Sequence, residues 1–133
     1  MKGEKVLDSW ALLAYFEDEP CAGKVADFLK EASEKDRSLL ISAVNWGEIL
    51  YVVERKYGSE KRDQIENWME QMYLEVVPAD KDIAREAARL KAAHKLGYAD
   101  SFAAAIASLR KTELVTGDRD FQVVSKEIKI TWL

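Results

Sequence analysis

The chain has 133 residues, of which 48% are hydrophobic, 33% are charged and only two are proline. This length predicts a single domain over residues 1–133, because chains divide only beyond about 250 residues, and the composition excludes a disordered or low-complexity chain. Asp and Glu number 24 against 20 Lys and Arg. The resulting net charge of −4 means that the field of the whole molecule does not attract nucleic acid.

Several residue types are too scarce to support their usual chemistry. Cys21 is the one cysteine, which excludes an internal disulfide, a redox pair and a four-cysteine zinc site. His94 is the one histidine, which excludes a nuclease that uses two histidines as acid and base. No apolar run approaches the roughly 18 residues that cross a bilayer, and residues 1–5 lead into a strand-like segment instead of a signal-peptide core. We therefore expect a cytoplasmic protein with no membrane partner.

The first third of the chain predicts a strand, two helices and a second strand. Residues 5–7 form a short apolar run, after which apolar side chains recur at helical spacing behind a cap at Asp8 or Ser9. A second helix is predicted from about Ala22 to Glu34, and the run 38–42 predicts the next strand.

The middle of the chain predicts two consecutive helices and a third strand. The first helix covers 44–57 and stops at Gly58, and the second covers 59–73 with Ser59 as its cap. Both have strongly apolar faces, which suggests a helical hairpin. The strand 74–77 is ended by Pro78.

The last third of the chain completes an alternating pattern. Its predicted elements are a helix over 80–96 closed at Gly97, an Ala-rich helix over 100–110, a strand over 113–116, a turn at 117–118 and an edge strand over 128–132. Strands that alternate with helices indicate βα units and a mostly parallel sheet. We predict a three-layer α/β/α sandwich with a sheet of four or five strands.

Four acids stand out against this pattern. Asp8 and Asp118 follow predicted strands, at the carboxyl ends where open α/β sheets bind their ligands. Asp100 opens a helix, where the helix dipole favours a carboxylate. Glu48 lies in a largely apolar helix, where a buried carboxylate is costly unless it is paired.

Four carboxylates in one place repel one another unless a cation neutralises them. Sets of oxygen ligands of this kind suit Mg²⁺ or Mn²⁺. Such ions activate water for attack on a phosphodiester without any histidine. A metal-dependent nuclease therefore fits both the residues that are present and those that are missing.

Four segments of the chain resemble the signature segments of PIN domains. In order, spacing and total length they are most similar to those of the VapC toxins of VapBC toxin-antitoxin pairs, and the resemblance covers essentially the whole chain. The segments are Val6-Leu7-Asp8-Ser9 with Ala11-Leu12-Leu13, Ser42-Ala43-Val44-Asn45-Trp46-Gly47-Glu48, Tyr98-Ala99-Asp100-Ser101-Phe102-Ala103-Ala104-Ala105-Ile106-Ala107 and Leu114-Val115-Thr116-Gly117-Asp118-Arg119-Asp120-Phe121.

The resemblance implies a PIN fold and a catalytic, metal-binding acidic quartet for endoribonuclease action with Mg²⁺ or Mn²⁺. Its members would be Asp8, Glu48, Asp100 and Asp118. The resemblance further implies that Ser9 and Thr116 are hydroxyls that orient the site, and that Asp120 lies outside the ligand set.

Trp10 departs from the family pattern, which more often has a smaller residue directly after the Asp-Ser pair. The resemblance therefore does not imply the shape of the groove. For Trp10 and for Trp46, packing in the core or in the groove wall is expected over stacking on a base.

Three kinds of partner are expected. Arg110, Lys111 and Arg119 come close in sequence to the Asp100 and Asp118 segments and are candidate contacts for RNA phosphates, although a solvated role is equally open. The predicted hairpin from Ile49 to Tyr73 offers more apolar surface than one small sheet covers, which suggests a homodimer. The resemblance agrees, and it also implies a VapB-like antitoxin whose tail binds in a groove.

Two other functions stay open at this point, namely a noncatalytic PIN-fold module that binds RNA or protein, and a housekeeping RNA-processing nuclease. Two other α/β classes are excluded. A receiver domain needs paired acids after the first strand, and a haloacid-dehalogenase-type phosphatase needs a second Asp two places after the first. Ser9 and Trp10 follow Asp8 instead.

Overall fold

The computed structural model describes residues 4–133, so residues 1–3 of the predicted lead segment lie outside the described part. All five strands are parallel, and they lie in the order β3-β2-β1-β4-β5. The strands are β1 (Val6–Leu7), β2 (Leu39–Ser42), β3 (Leu74–Val77), β4 (Glu113–Thr116) and β5 (Lys129–Trp132). The predicted three-layer α/β/α architecture is confirmed, with every strand parallel.

Within residues 4–133, six α-helices and one 3-10 helix connect the strands. They are α1 (Ser9–Phe16), α2 (Ala22–Glu34), α3 (Ala43–Tyr57), α4 (Ser59–Gln71), α5 (Lys81–Ala93), α6 (Tyr98–Arg110) and the 3-10 helix Arg119–Val124. None of the helices described over residues 4–133 is long and apolar enough to cross a membrane.

The sheet has an apolar cluster on each face, because successive side chains of a strand point to opposite sides. Val6, Leu40 and Leu114 pack with α5, α6 and the 3-10 helix on one face. Their neighbours in the strands, Leu7 and Ile41 among them, pack with helices α1 to α4 on the other face. Both faces of the central strands are therefore buried.

Small side chains let α6 lie close to the sheet. Ala103, Ala104 and Ala105 are fully buried in the same cluster as Val6 and Leu114. The alanine face of this helix is therefore turned towards the sheet. This packing fixes the position of the first turn of α6, where Asp100 lies.

The structure differs from the prediction at several element ends. The N-cap of α4 is Gly58, at φ 95°, and Ser59, which was predicted as the cap, is the first residue of the helix. The helix ends at Gln71, and α5 ends at Ala93 with His94 as its C-cap. The 3-10 helix after β4 was not predicted beyond its opening turn.

Candidate functional site

The candidate site lies at the carboxyl end of the sheet, around the central strand β1. Strands β2 and β3 lie on one side of β1, and strands β4 and β5 lie on the other side. This reversal of strand order opens a crevice of the kind in which open α/β sheets bind ligands. Asp8, Ser42 and Thr116 mark the carboxyl ends of the three strands at this point.

Asp8 is buried, with 1% of its surface exposed, and it caps α1. Its Oδ1 accepts a hydrogen bond from the backbone N–H of Ala11 at 2.9 Å, and its Oδ2 accepts one from Thr116 Oγ1 at 2.6 Å. The pKa of Asp8 is raised to about 7, mainly by burial. The two hydrogen bonds lower this pKa, and the charges of Asp100 and Asp118 raise it. The carboxyl group is therefore held rigidly where a negative charge is costly without a cation.

Three carboxyl groups converge next to Asp8. One oxygen each of Asp100, Asp118 and Asp120 lies within 4.8 Å of the others, close enough for one metal ion to bind all three. The backbone N–H of Asp120 donates to Asp118 Oδ1 at 3.0 Å, so the turn that opens the 3-10 helix places both side chains.

Asp100 is half-buried in the first turn of α6. Burial raises its pKa to about 6, and the charges of Asp118, Glu48 and Asp120 add to this shift. Among the described residues, the charges that raise the pKa values of Asp8 and Asp100 are those of other carboxylates. The cluster therefore stores repulsion that a divalent cation would relieve.

Glu48 is half-buried on α3 and is oriented by a buried polar network. Its Oε1 accepts a hydrogen bond from Ser9 Oγ at 2.5 Å, and Ser9 Oγ accepts one from Asn45 Nδ2 at 3.0 Å. Asn45 is fully buried, and its Oδ1 accepts a hydrogen bond from Ser42 Oγ at 2.8 Å. The network links the ends of β1 and β2 and gives Glu48 a fixed direction.

Thr116 connects two of the acids. Its hydroxyl donates to Asp8 and accepts a hydrogen bond from the backbone N–H of Asp118 at 3.0 Å. Because this buried hydroxyl bonds to both segments, the end of β1 and the loop after β4 keep one relative position.

Of the predicted RNA contacts, Arg119 is the one whose backbone adjoins the acids, because it lies between Asp118 and Asp120. It follows Asp118 directly, and its guanidinium stacks 4.6 Å from the centre of the Trp132 ring. Arg110 and Lys111 lie at the opposite end of α6, about 15 Å from Asp100 at the helical rise per residue. Arg110 instead pairs with Glu4 at 3.7 Å.

The sequence prediction and the observed grouping differ in detail. Asp100 and Asp118 belong to the convergent trio, whereas Asp8 and Glu48 lie at its border. The charge of Asp100 raises the pKa of Asp8, and the charge of Glu48 raises the pKa of Asp100. Asp120 was predicted outside the ligand set and lies within the trio. Asn45 received no predicted role, although an amide three residues after a helix-capping serine is a recognisable signal for such a network.

The donor set fits a hard divalent cation. Carboxylate oxygens alone converge here, with no thiol or imidazole among them, and this is the chemistry that Mg²⁺ and Mn²⁺ prefer. The raised pKa values of Asp8 and Asp100 also favour a bound cation, because the charges of the described residues do not neutralise the cluster.

Comparison with protein families and known sequences gives a consistent result. The PIN domain family model matches residues 5–127. A VapC ribonuclease of Mycobacterium bovis is 31% identical over 124 residues, which cover 88% of this chain and 92% of that protein. Ribonuclease VapC30 of Mycobacterium tuberculosis matches with the same identity and coverage.

Solved structures have the same fold. DNA-bound VapBC from Salmonella typhimurium superposes with a TM-score of 0.73 at 20% identity, and the match covers 96% of both chains. VapBC2 from Rickettsia felis, bound to a promoter fragment, gives a TM-score of 0.75 at 17% identity over 98% of both chains. VapC20 of Mycobacterium tuberculosis, described as a toxin that cleaves the sarcin-ricin loop, gives 0.67 at 14% identity over 89% of this chain and 92% of that one.

Proposed function

The chain belongs to the PIN-domain family and, within it, to the VapC ribonucleases, and from this membership we propose that it is a metal-dependent endoribonuclease of a VapBC-type toxin-antitoxin pair. It is a nuclease that acts on RNA. The observation that carries the metal-dependent mechanism is the convergence of Asp100, Asp118 and Asp120 within 4.8 Å at the carboxyl end of the sheet.

The proposed ligands of Mg²⁺ or Mn²⁺ are Asp8, Glu48, Asp100 and Asp118, with Asp120 now added to them. Support comes from the close grouping of the trio and from the electrostatic repulsion that Asp8 and Glu48 have with Asp100. When bound, the ion supplies a Lewis acid that activates water and neutralises charge on the phosphodiester.

The chain's own residues hold this arrangement and position the RNA. Thr116 fixes Asp8 relative to the backbone of Asp118, and Ser9 turns Glu48 towards the site. Arg119 follows Asp118 in the chain and offers a guanidinium that suits a phosphate oxygen. Its stacking on Trp132 reduces the freedom that it would lose on binding.

The test is cleavage of RNA by Asp8→Asn and Asp100→Asn in the presence of Mn²⁺. Each neutral, isosteric change removes a charge that the ion needs, so we expect cleavage to fall at least about 100-fold while the fold is kept. The matched control is Asp27→Asn, the same change at an exposed position of α2. Full cleavage by either site variant would refute its assignment.

Calorimetric titration with Mn²⁺ separates an enzyme from a noncatalytic module of the same fold. The wild-type chain should bind the ion, and Asp100→Asn should bind it at least about tenfold more weakly. A wild-type chain that binds no Mn²⁺ would favour the noncatalytic module, with its acids vestigial.

The antitoxin is proposed to bind in a groove between α1, α3 and α4. The groove has a volume of about 230 Å³ and an apolar floor that includes Leu13, Phe16 and Ile65. Trp68 extends this surface, since it stacks on Phe16 and is 42% exposed. If the neighbouring reading frame encodes a short DNA-binding protein, Trp68→Glu should abolish its co-purification with this chain, and unchanged co-purification would exclude this groove.

A homodimer is the second proposed assembly. The α3–α4 hairpin also exposes Tyr51, at 52%, and Tyr57, at 54%, and Tyr57 also lines the antitoxin groove, so the two proposed interfaces adjoin. Large exposed aromatic side chains on one hairpin are typical of a protein interface. Sedimentation at micromolar concentration should give the mass of two chains, and a monomer would contradict the proposal.

A further inference from the structure

Trp10 lies between two acidic segments of the site and is still accessible. It follows Asp8 and Ser9 in the first turn of α1, and 37% of its surface is exposed. A tryptophan that serves only as core packing is more deeply buried. The indole of Trp10 therefore keeps surface that a ligand can reach.

Gly117 fixes the indole next to Asp118. A Cβ atom built on Gly117 would lie 2.3 Å from Trp10 Cη2 and 2.4 Å from Cζ3. No side chain fits between them, so the far edge of the six-membered ring rests on the backbone of the residue that precedes Asp118. The indole is thus anchored on one side, in contact with the loop that carries one of the proposed metal ligands.

Trp10 also lines a cleft of about 490 Å³ along α1. Leu13, Ala14 and Pro20 form its apolar part, and the carboxylates of Glu17 and Glu19 lie at its border. The carboxylate of Glu17 is paired with Lys56 at 2.7 Å, and Glu19 adds a negative charge that repels a phosphate, whereas the apolar wall and the flat indole suit an uncharged planar group. Of the parts of an RNA strand, only the base has this chemistry.

We propose that Trp10 positions the RNA substrate by stacking on a nucleobase next to the phosphate that the acidic cluster receives. This inference rests on the proposed ribonuclease function, because it assigns a contact to that substrate. The base enters the cleft, while the sugar-phosphate strand stays on the side of the acidic cluster. Stacking on an aromatic ring tolerates any base, so Trp10 contributes affinity and register more than sequence preference.

The first experiment measures binding of a fluorescein-labelled single-stranded RNA 12-mer with Mg²⁺, by fluorescence anisotropy. All variants carry Asp100→Asn, so that the RNA is not consumed. We expect Trp10→Ala to raise the Kd by about 5- to 150-fold, the range that base stacking on aromatic residues gives. Trp10→Phe should stay within about threefold of the parent, because it keeps an aromatic face.

Trp10→Leu is the matched control for bulk. Leucine fills the cleft wall but offers no face for stacking, so it should bind RNA as weakly as Trp10→Ala. If Trp10→Leu binds as well as Trp10→Phe, apolar packing explains the residue and the proposal is wrong. Thermal melting of each variant confirms that it is folded.

Gly117→Ala tests the anchor independently. The added methyl group displaces the indole, so Gly117→Ala should weaken RNA binding as Trp10→Ala does, and the two changes together should cost no more than one of them. Fully additive losses would show that the two residues act separately, and would overturn this geometry.

Steady-state cleavage by the chain with its acids intact distinguishes this inference from the proposed function. Trp10→Ala should raise KM with little change in kcat, because stacking contributes to the bound and the reacting states alike. Cleavage by the wild type with an unchanged KM in Trp10→Ala would refute only the stacking. Absence of cleavage by the wild type, with RNA binding that still depends on Trp10, would refute only the ribonuclease function.

Discussion

Asp8 and Asp100 have carboxyl groups whose pKa values, about 7 and about 6, lie above the ordinary value of 3.8, mainly because they are buried. Between pH 4 and 7 the folded chain therefore binds more protons at these groups than the unfolded chain does. The free energy of unfolding falls as pH rises through such a window. A bound divalent cation counteracts this loss of stability at higher pH, because it favours the ionised carboxylates.

This linkage predicts the thermal stability of the metal-free protein. In EDTA, the contribution of the two acids should make Tm several degrees higher at pH 5 than at pH 8, and Mg²⁺ should raise Tm more at pH 8 than at pH 5. Asp8→Asn should remove the larger part of the difference, because it stays uncharged at both pH values. A Tm in EDTA that rises from pH 5 to pH 8 would contradict the assignment of these protons to the site.

The sequence indicated some residues of the site by their position after strands, but it did not show how the site residues group in space. Asp8 and Asp118 were predicted because they follow strands, and parallel strands end at one edge of the sheet. The place of Asp120 depends on the hydrogen bond from its backbone to Asp118, which forms only once the 3-10 helix is present. The role of Asn45 depends on contacts with Ser9 and Ala99, which are distant in sequence.

At the scale of elements, Gly58 controls the turn of the α3–α4 hairpin. Its φ of 95° and ψ of 171° lie in a region that is essentially restricted to glycine. Gly58→Ala should therefore lower the free energy of unfolding by about 1–3 kcal/mol, although there is open space around a Cβ atom at this position.

Gly23 provides the matched control within another helix. It lies in α2 with open space around a Cβ atom and without a positive φ, so Gly23→Ala should raise the free energy of unfolding by about 0.5–1 kcal/mol. Urea unfolding measures both variants. Equal effects of the two changes would show that the backbone of Gly58 is not strained by a side chain.

The same turn shows why element ends were harder to predict than the elements themselves. Apolar periodicity identified α3 and α4, because each buries one face. Ser59 looked like a cap by its residue type, but the chain reverses so tightly that Gly58 ends α3 and also caps α4. In α5 the buried stripe stops at Leu90, whereas the helix-forming composition continues almost to Gly97.

At the scale of the whole molecule, charge opposes the proposed activity. The net charge is −4, and the convergent carboxylates face the place where an RNA phosphate would lie. Two of the three predicted basic contacts lie at the far end of α6. Binding of RNA should therefore depend on divalent cations at the site more than on the overall field.

Removing carboxylate charges from the acidic cluster should increase the affinity for RNA, as a bound metal ion would by neutralising them. In EDTA at low salt, the double variant Asp100→Asn with Asp118→Asn should bind a labelled RNA 12-mer about 3- to 10-fold more tightly than the wild type, because two close repulsive charges are gone. The double variant Asp27→Asn with Asp36→Asn changes the net charge by the same amount at exposed positions. Equal tightening in both variants would mean that total charge, and not the acidic cluster, limits RNA binding.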